Sequence, residues 1–329
     1  MTKTTVDFVI PVFNERESLR RLHDQLESTP LPAEYSRRYI YVNDGSTDDT
    51  QDVLTQLAAS HHNVTVIELS RNFGHQAALS AGLQASVGDV VISLDGDGQH
   101  PPSLVPAMLK LFAGGCDIVQ MKRMDGRASP GLLKRVTSRV FYRLISLVGE
   151  VEVAEGSSDF RLMSRRAVDA LLRLPEYHRF IRGMVVWIGF VTASLPYEPA
   201  PRIGGSPKYS VRKMLRLATD ALFSFSLVPL RVGLLLGLGF MVMAVVEVAY
   251  VAFVWSSNRD QLVPGWSSLV LILTVSSALS MTLFGILGIY IGMIFREVKQ
   301  RPVYIVRSQT GPDVAERIRM GSQHEGSRR

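Results

Sequence analysis

A single cysteine, Cys116, leaves the chain unable to form an internal disulfide. That excludes a disulfide-held secreted scaffold and fits a reducing compartment. No secretory leader is expected: residues 1–5 run straight into an apolar, strand-like stretch with no cleavage-site pattern behind it. No internal repeat is visible. Charged residues make up only 20% of the 329, yet that is too many for a chain wholly buried in lipid. The 47% that are apolar or aromatic are too many for a disordered one. The length suits one large domain or two smaller ones.

Charge is scarcest late in the chain. Residues 267–295 carry none, and 230–255 carry only Arg231 and Glu247. At 1.5 Å per residue the two runs measure, in chain order, roughly 39 and 43 Å, enough to cross a hydrocarbon core of about 30 Å. The linker 256–266 contains Asn258, Pro264 and Gly265 and is too short for a domain. A two-helix transmembrane hairpin is expected, with 230–255 and 267–295 as its arms.

What charge there is falls unevenly. Of 36 Lys+Arg and 30 Asp+Glu, 22 and 23 lie in residues 1–205, and 14 and 7 lie after them. Arg212, Lys213, Arg216 and Arg231 precede the hairpin, and Arg296, Lys299, Arg301 and Arg307 follow it. The positive-inside rule places both termini in the cytoplasm and 256–266 outside. The basic flanks suit an anionic lipid surface, so nucleic acid is not an expected partner. Within 206–229, Val211, Met214, Leu215, Ala218, Leu222 and Phe225 recur at helical spacing opposite Arg212, Lys213, Arg216 and Asp220. This reads as an amphipathic juxtamembrane helix. Glu247 is expected to face a hydroxyl of Thr274, Ser276 or Ser277. The segment 296–329 is a cytoplasmic tail, with a short strand near 303–306.

Residues 1–205 alternate instead. Strand-like runs at 6–12, 39–43, 64–69, 90–94 and 117–121 are separated by helical stretches at 15–26, 48–60, 75–85 and 102–112. This order implies an α/β, Rossmann-like domain with a mainly parallel sheet. Ligands of such sheets bind at the carboxyl ends of the strands. Polar clusters stand there: Asn14-Glu15, Asn43-Asp44-Gly45-Ser46, Ser70-Arg71-Asn72 and Asp95-Gly96-Asp97-Gly98-Gln99. Asp95 and Asp97, two residues apart after an apolar strand, suit one hard cation, Mg²⁺ or Mn²⁺, which also holds substrate phosphates. His61, His62 and His75 form no ligand spacing and read as surface or helix-edge residues.

Ile10-Pro11-Val12-Phe13-Asn14-Glu15, Val42-Asn43-Asp44-Gly45-Ser46-Thr47-Asp48, Arg71-Asn72-Phe73-Gly74 and Asp95-x-Asp97-x-Gln99 resemble the family 2 glycosyltransferases of GT-A fold. Ser158-Asp159-Phe160-Arg161-Leu162-Met163, Arg179-Phe180-Ile181-Arg182-Gly183 and Tyr290-Ile291-Gly292, followed by Arg301-Pro302 and Tyr304, resemble the polyprenyl-phosphate group. That group includes GtrB-like and ArnC-like enzymes and dolichyl-phosphate mannose synthases. The resemblance spans about residues 5–307.

The resemblance implies an inverting transfer of one sugar from a nucleotide-sugar to a polyprenyl phosphate at the cytoplasmic face of the membrane. UDP-sugars are the first choice of donor and GDP-sugars the second; undecaprenyl phosphate is the expected acceptor. Pro11, Phe13, Glu15, Asp44, Asp95 and Gln99 match donor-binding positions, and Asp95 and Asp97 the metal positions. Phe13 stands where Tyr is frequent, and His100 where an acidic residue is usual. Asp159 matches the catalytic aspartate; a salt bridge to Arg161 is its plainer alternative. Arg123, Lys134, Arg135 and Ser138 match acceptor-phosphate contacts, with Arg202 and Lys208 as further cations. The Gln-x-x-Arg-Trp of processive members is absent, which favours transfer of a single sugar. A homo-oligomer, a tetramer by resemblance, is implied. Transfer to another membrane lipid such as diacylglycerol, and a silent membrane scaffold, are the competing readings.

Overall fold

The computed structural model describes residues 3–124, 157–177, 179–200 and 265–311, together with 235–243, 245, 246, 249, 253 and 256. Two compact units divide the chain. One holds the α/β elements and the segment from Pro302 onward, the other a long apolar helix.

The α/β unit is built on β1 (Thr4–Val12), β2 (Tyr35–Asn43), β3 (Val64–Leu69) and β4 (Val90–Ser93), with α1 (Leu19–Ser28), α2 (Thr50–Ser60) and α3 (His75–Ala85) as crossovers. After α4 (Val105–Ala113) come β5 (Ile118–Arg123), β6 (Ser157–Ser164), α5 (Arg165–Leu172), α6 (Ile181–Trp187) and β7 (Thr192–Tyr197). The strand order is β7-β5-β6-β4-β1-β2-β3-β8, where β8 is Val306–Thr310.

Side-chain alternation along β1 sorts the core into two layers. Val6, Phe8, Ile10 and Val12 pack with Leu22 and Leu26 of α1, Leu54 of α2 and Met108 of α4. Val9 turns the other way, into a layer with Ala78 and Leu79 of α3, Val168 of α5 and Met184 of α6. Each such fully buried side chain contributes about 1.5–3 kcal/mol relative to exposure. Helices therefore cover both faces, as parallel strands require.

The expected mainly parallel sheet is mixed. β4, β1, β2 and β3 run parallel, and β5 pairs parallel with β7. β6 lies antiparallel between β4 and β5, and β8 runs antiparallel along β3. The chain returns from the long helix to close that edge: Ser70 N–H donates to the Ile305 carbonyl at 2.9 Å, and Arg307 pairs with Glu68 at 2.8 Å. The tail strand thus sits slightly later than 303–306.

In the second unit, α7 (Trp266–Val298) covers the whole of the expected second arm. Its 33 residues span about 50 Å. Met281, Phe284 and Ile291 are exposed on it. Among the described residues it is the one helix long and apolar enough to cross a membrane. Residues 235–243 of the first run are helical apart from any further extent. The amphipathic segment 206–229, Glu247 and most of the linker lie outside the described residues.

Candidate active site

The carboxyl ends of β1 to β4 are stitched together by their own loops. β1 ends at Val12, and Asn14 turns the chain with a positive φ of 54°. Asn and Asp tolerate that region better than most residues. Its backbone N–H donates to Ser46 Oγ at 3.0 Å, and its Oδ1 accepts from the Thr47 N–H at 2.8 Å. Glu15 donates its N–H to Thr50 Oγ1 at 3.0 Å. The turn delays α1 to Leu19, later than the periodicity implied.

Asp44, buried after β2, accepts from the Phe73 N–H at 2.7 Å and the Gly74 N–H at 2.9 Å. Burial pushes its carboxyl up from the ordinary value, against those two amides. Asp44 therefore moulds the Arg71–Gly74 loop with both oxygens. Gly45 makes the approach possible: φ is 65°, and a Cβ there would lie 2.4 Å from the Arg71 carbonyl carbon.

The Asp95–Gln99 loop packs on the end of β1. A Cβ on Gly96 would sit 2.6 Å from Val12 Cγ1. Ser18 Oγ donates to the Gly96 carbonyl at 2.7 Å, and Asp97 Oδ1 accepts from the Gln99 N–H at 3.0 Å. Pro11 is buried, whereas Phe13, Glu15, Asp95, Asp97 and Gln99 are half-buried.

Asp159 enters from β6. Because that strand runs antiparallel to β4, its first residues lie beside the carboxyl end of β4, and Ser93 Oγ donates to the Asp159 carbonyl at 2.6 Å. The buried carboxylate accepts from Arg161 Nη2 at 3.0 Å and from Arg182 Nε and Nη2 at 3.1 and 2.8 Å. His75 Nε2 lies 3.3 Å from its Oδ2 and 3.5 Å from Asp95 Oδ1. Burial opposes ionisation of Asp159, but Arg182 and the His75 contact outweigh it and hold the carboxyl well below its usual range. Loss of water would lower His75; Asp95 first, then Asp159, override that and push it up to about 9. Arg161, fully buried, is lowered to about 10 by burial, against the pull of Asp159.

Pro11, Phe13, Glu15, Asp44, Asp95, Asp97, Gln99 and Asp159 thus gather at the carboxyl ends of β1, β2 and β4, and the salt bridge of Asp159 to Arg161 is also present. Arg123 ends β5 on the same strand-end side of the sheet and is exposed. Lys134, Arg135, Ser138, Arg202 and Lys208 lie outside the described residues. Two members were missed from sequence. His75 is the helix-edge residue it was read as, at the start of α3, but it bridges the two key carboxylates. Arg182 stood within a noted motif without a role.

Asp95 Oδ1 is shielded from water and accepts no hydrogen bond. An oxygen in that state fits a hard cation, and Asp97 supplies a second carboxylate on the same loop. Among the described residues no set of three acidic, His or Cys side chains forms a ready ligand cage. Further ligands would come from substrate phosphate or water, the usual habit of Mg²⁺.

Parallel strands ending in a carboxylate loop, with helices on both faces, define an α/β enzyme acting at the carboxyl ends of its strands. The model of Glycosyl transferase family 2 matches residues 7–172, and the chain belongs to that family of glycosyltransferases. It is 34% identical over 308 residues to the uncharacterized glycosyltransferase YkcC of Bacillus subtilis, covering 92% of this chain and 93% of the relative. It is 34% identical over 306 residues to the prophage bactoprenol glucosyl transferase homolog of Escherichia coli, covering 92% and 98%. The SfII prophage-derived bactoprenol glucosyl transferase of Shigella flexneri shares 35% over 309 residues, covering 92% and 97%. Among solved structures, glucosyl-3-phosphoglycerate synthase of Mycobacterium tuberculosis with Mn²⁺, UDP-glucose and phosphoglyceric acid aligns at TM-score 0.46 and 22% identity, covering 67% of this chain and 79% of that one.

Proposed function

We propose that this glycosyltransferase moves a single sugar from a nucleotide-sugar, UDP-linked first and GDP-linked second, onto the phosphate of a polyprenyl phosphate, inverting the anomeric centre. The names of relatives aligned over nine-tenths of the chain, bactoprenol glucosyl transferases, support this acceptor. One observation carries the site: His75 Nε2 stands 3.5 Å from Asp95 Oδ1, which accepts no hydrogen bond, and 3.3 Å from Asp159 Oδ2, whose carboxyl is held well below its usual range. A metal-ready carboxylate and a cation-ringed carboxylate stand one imidazole apart.

In the reaction an acceptor phosphate oxygen forms the new bond to the anomeric carbon. The bond from that carbon to the diphosphate breaks, and its electron pair leaves with the nucleoside diphosphate. The acceptor, with a second pKa near about 6, is already anionic and needs no strong base. Asp159, held ionised by Arg161, Arg182 and His75, orders those cations. Asp95 and Asp97 would hold Mg²⁺ or Mn²⁺. That ion, when bound, stabilises charge developing on the leaving diphosphate. Asp44 and Asn14 keep the loops that would frame the nucleoside in register. Arg123 is assigned to the acceptor phosphate, with Lys134, Arg135, Ser138, Arg202 and Lys208.

The same reading makes the chain a cytoplasmic-membrane protein: both apolar runs span, the catalytic unit and termini are cytoplasmic, and 206–229 lies in the interface. α7, apolar and uncovered by protein at Met281 and Phe284, supports a lipid surrounding for one span. Assembly into a homo-oligomer belongs to this proposal.

The test is transfer by the purified full chain in detergent, offered a panel of UDP- and GDP-sugars and undecaprenyl phosphate, with products weighed by mass spectrometry. UDP-glucose is the first donor to try, because the relatives' names carry glucose. An adduct of one sugar with inverted configuration is expected. Transfer to diacylglycerol with none to undecaprenyl phosphate would overturn the acceptor in favour of the other lipid reading.

A further inference from the structure

His100 stands where the family resemblance has an acidic residue, and the structure gives the substitution a use. The ring is buried. It stacks on Phe160 at 5.1 Å and 14°, and meets Tyr197 edge-on at 5.8 Å. Phe160 and Tyr197 also contact one another edge-on at 5.9 Å, so three rings close on each other beneath the carboxylate loop. Such packing leaves the imidazole little freedom to tilt or flip.

The ring's polar atoms both address Asp95. Its Nδ1 accepts the Asp95 backbone N–H at 2.9 Å. An Nδ1 that accepts carries no proton, so Nε2 must carry one. That Nε2–H lies 3.7 Å from Asp95 Oδ2, beyond a hydrogen bond but close enough for attraction. The loop is pinned next door, where the Ala200 N–H donates to the Gln99 carbonyl at 3.0 Å. Asp95 is thus held at its backbone and drawn at one carboxylate oxygen, while Oδ1, 3.5 Å from His75 Nε2, accepts no hydrogen bond.

We infer that His100 is a positioning residue for the divalent cation. It fixes the Asp95 backbone and draws Oδ2 toward Nε2–H, leaving Oδ1, on the His75 side, as the oxygen that would hold a cation. An acidic residue here would accept the same N–H but offer no proton to Oδ2. Its negative charge would also repel the carboxylate it is meant to aim. His100 itself is not a ligand, because its proton blocks the nitrogen that faces the site. The inference rests on the metal reading of Asp95 and Asp97, and is independent of the acceptor.

The experiment is titration of the purified full chain with Mn²⁺, followed by electron paramagnetic resonance, in the presence of UDP or GDP and without any lipid acceptor. His100→Phe keeps a ring for Phe160 and Tyr197 and removes both polar contacts. Its Mn²⁺ affinity should fall about 10- to 100-fold, the usual cost of losing an outer-shell partner. Its melting temperature should stay near that of wild type. His100→Asn, able to accept and to donate, should recover part of the affinity. Wild-type Mn²⁺ affinity in a folded His100→Phe would overturn the inference. Equal losses in both variants, tracking equal drops in melting temperature, would overturn it too, since that is what a purely structural ring would do. A wild type that binds no Mn²⁺ with either nucleotide removes the metal site and this role together. Sugar transfer to undecaprenyl phosphate, measured separately, tells whether the reaction survives.

Discussion

Arg182 holds Asp159 with two hydrogen bonds, Nε to Oδ1 at 3.1 Å and Nη2 to Oδ2 at 2.8 Å. Arg161 adds a third from inside the sheet, and His75 approaches from α3. A carboxylate gripped in this way gives up nothing by staying ionised and is a poor proton acceptor. Asp159 is therefore expected to work as an anchor for cations.

Asp159→Asn should lower kcat far more than the KM for either substrate. It should also lose stability, about 3 kcal/mol, because Arg161 is left buried beside a neutral amide. Arg123→Ala should instead raise the KM for the lipid phosphate at nearly unchanged kcat. Steady-state kinetics and thermal melts on the two variants separate these patterns. Loss of donor binding by Asp159→Asn in calorimetry would contradict the anchor role.

The metal prediction follows from Asp95 and Asp97. Asp97→Asn should fold normally, since a half-buried loop residue packs little, and should lose nearly all activity. EDTA should silence wild type, and Mg²⁺ or Mn²⁺ should restore it. Full turnover after rigorous metal removal would end the assignment.

The parts legible in the sequence were those with clean periodicity. β1 to β4 are short β-branched runs bounded by polar turns, and their carboxyl ends carried the polar clusters. β6 escaped because buried charges break its pattern: Asp159 and fully buried Arg161 sit where an apolar alternation is sought. β7 contains Pro196 and lies at the sheet edge, where a missing N–H is tolerated but reads as a break. His75 was indistinguishable from any helix-start residue, because what gives it meaning is the antiparallel insertion of β6. Arg182 had a signal, its place in the Arg179–Arg182 motif, but no spacing rule connects it to Asp159.

Asn14 offers a test of loop order. Its φ of 54° and its bonds to Ser46 and Thr47 tie the β1 loop to the β2 loop. Asn14→Gly should accept the backbone conformation but lose the side-chain tie, raising the KM for the nucleotide-sugar several-fold with a small change in melting temperature. Asn14→Val should be worse on both counts, because a β-branched side chain is strained at positive φ. Equal behaviour of the two variants would show that the backbone conformation is not what matters there.

The last prediction concerns pH and lies away from the chemistry. His23 of α1 is fully buried, its Nδ1 3.1 Å from Tyr41 Oη and its ring edge-on to Tyr39. Burial lowers its pKa below the ordinary 6.5; His61, with ring centroids 4.5 Å apart, lowers it further, while Glu27 and Asp24 pull the other way. The unfolded chain therefore binds a proton near pH 6.5 that the folded chain refuses until lower pH. Unfolding free energy rises with pH wherever the unfolded state holds more protons. The contribution of neutral His23 is complete above pH 6.5 and is lost progressively as pH falls below it, levelling once the folded ring titrates. One proton limits the slope to about 1.4 kcal/mol per pH unit. Urea melts of wild type and His23→Leu between pH 5 and 8 should differ in slope below 6.5, the variant being flatter. The variant's absolute stability will fall through lost contacts with Tyr39 and Tyr41, so the slope is the quantity to compare. Identical slopes in the two proteins would move the acid sensitivity to some other group.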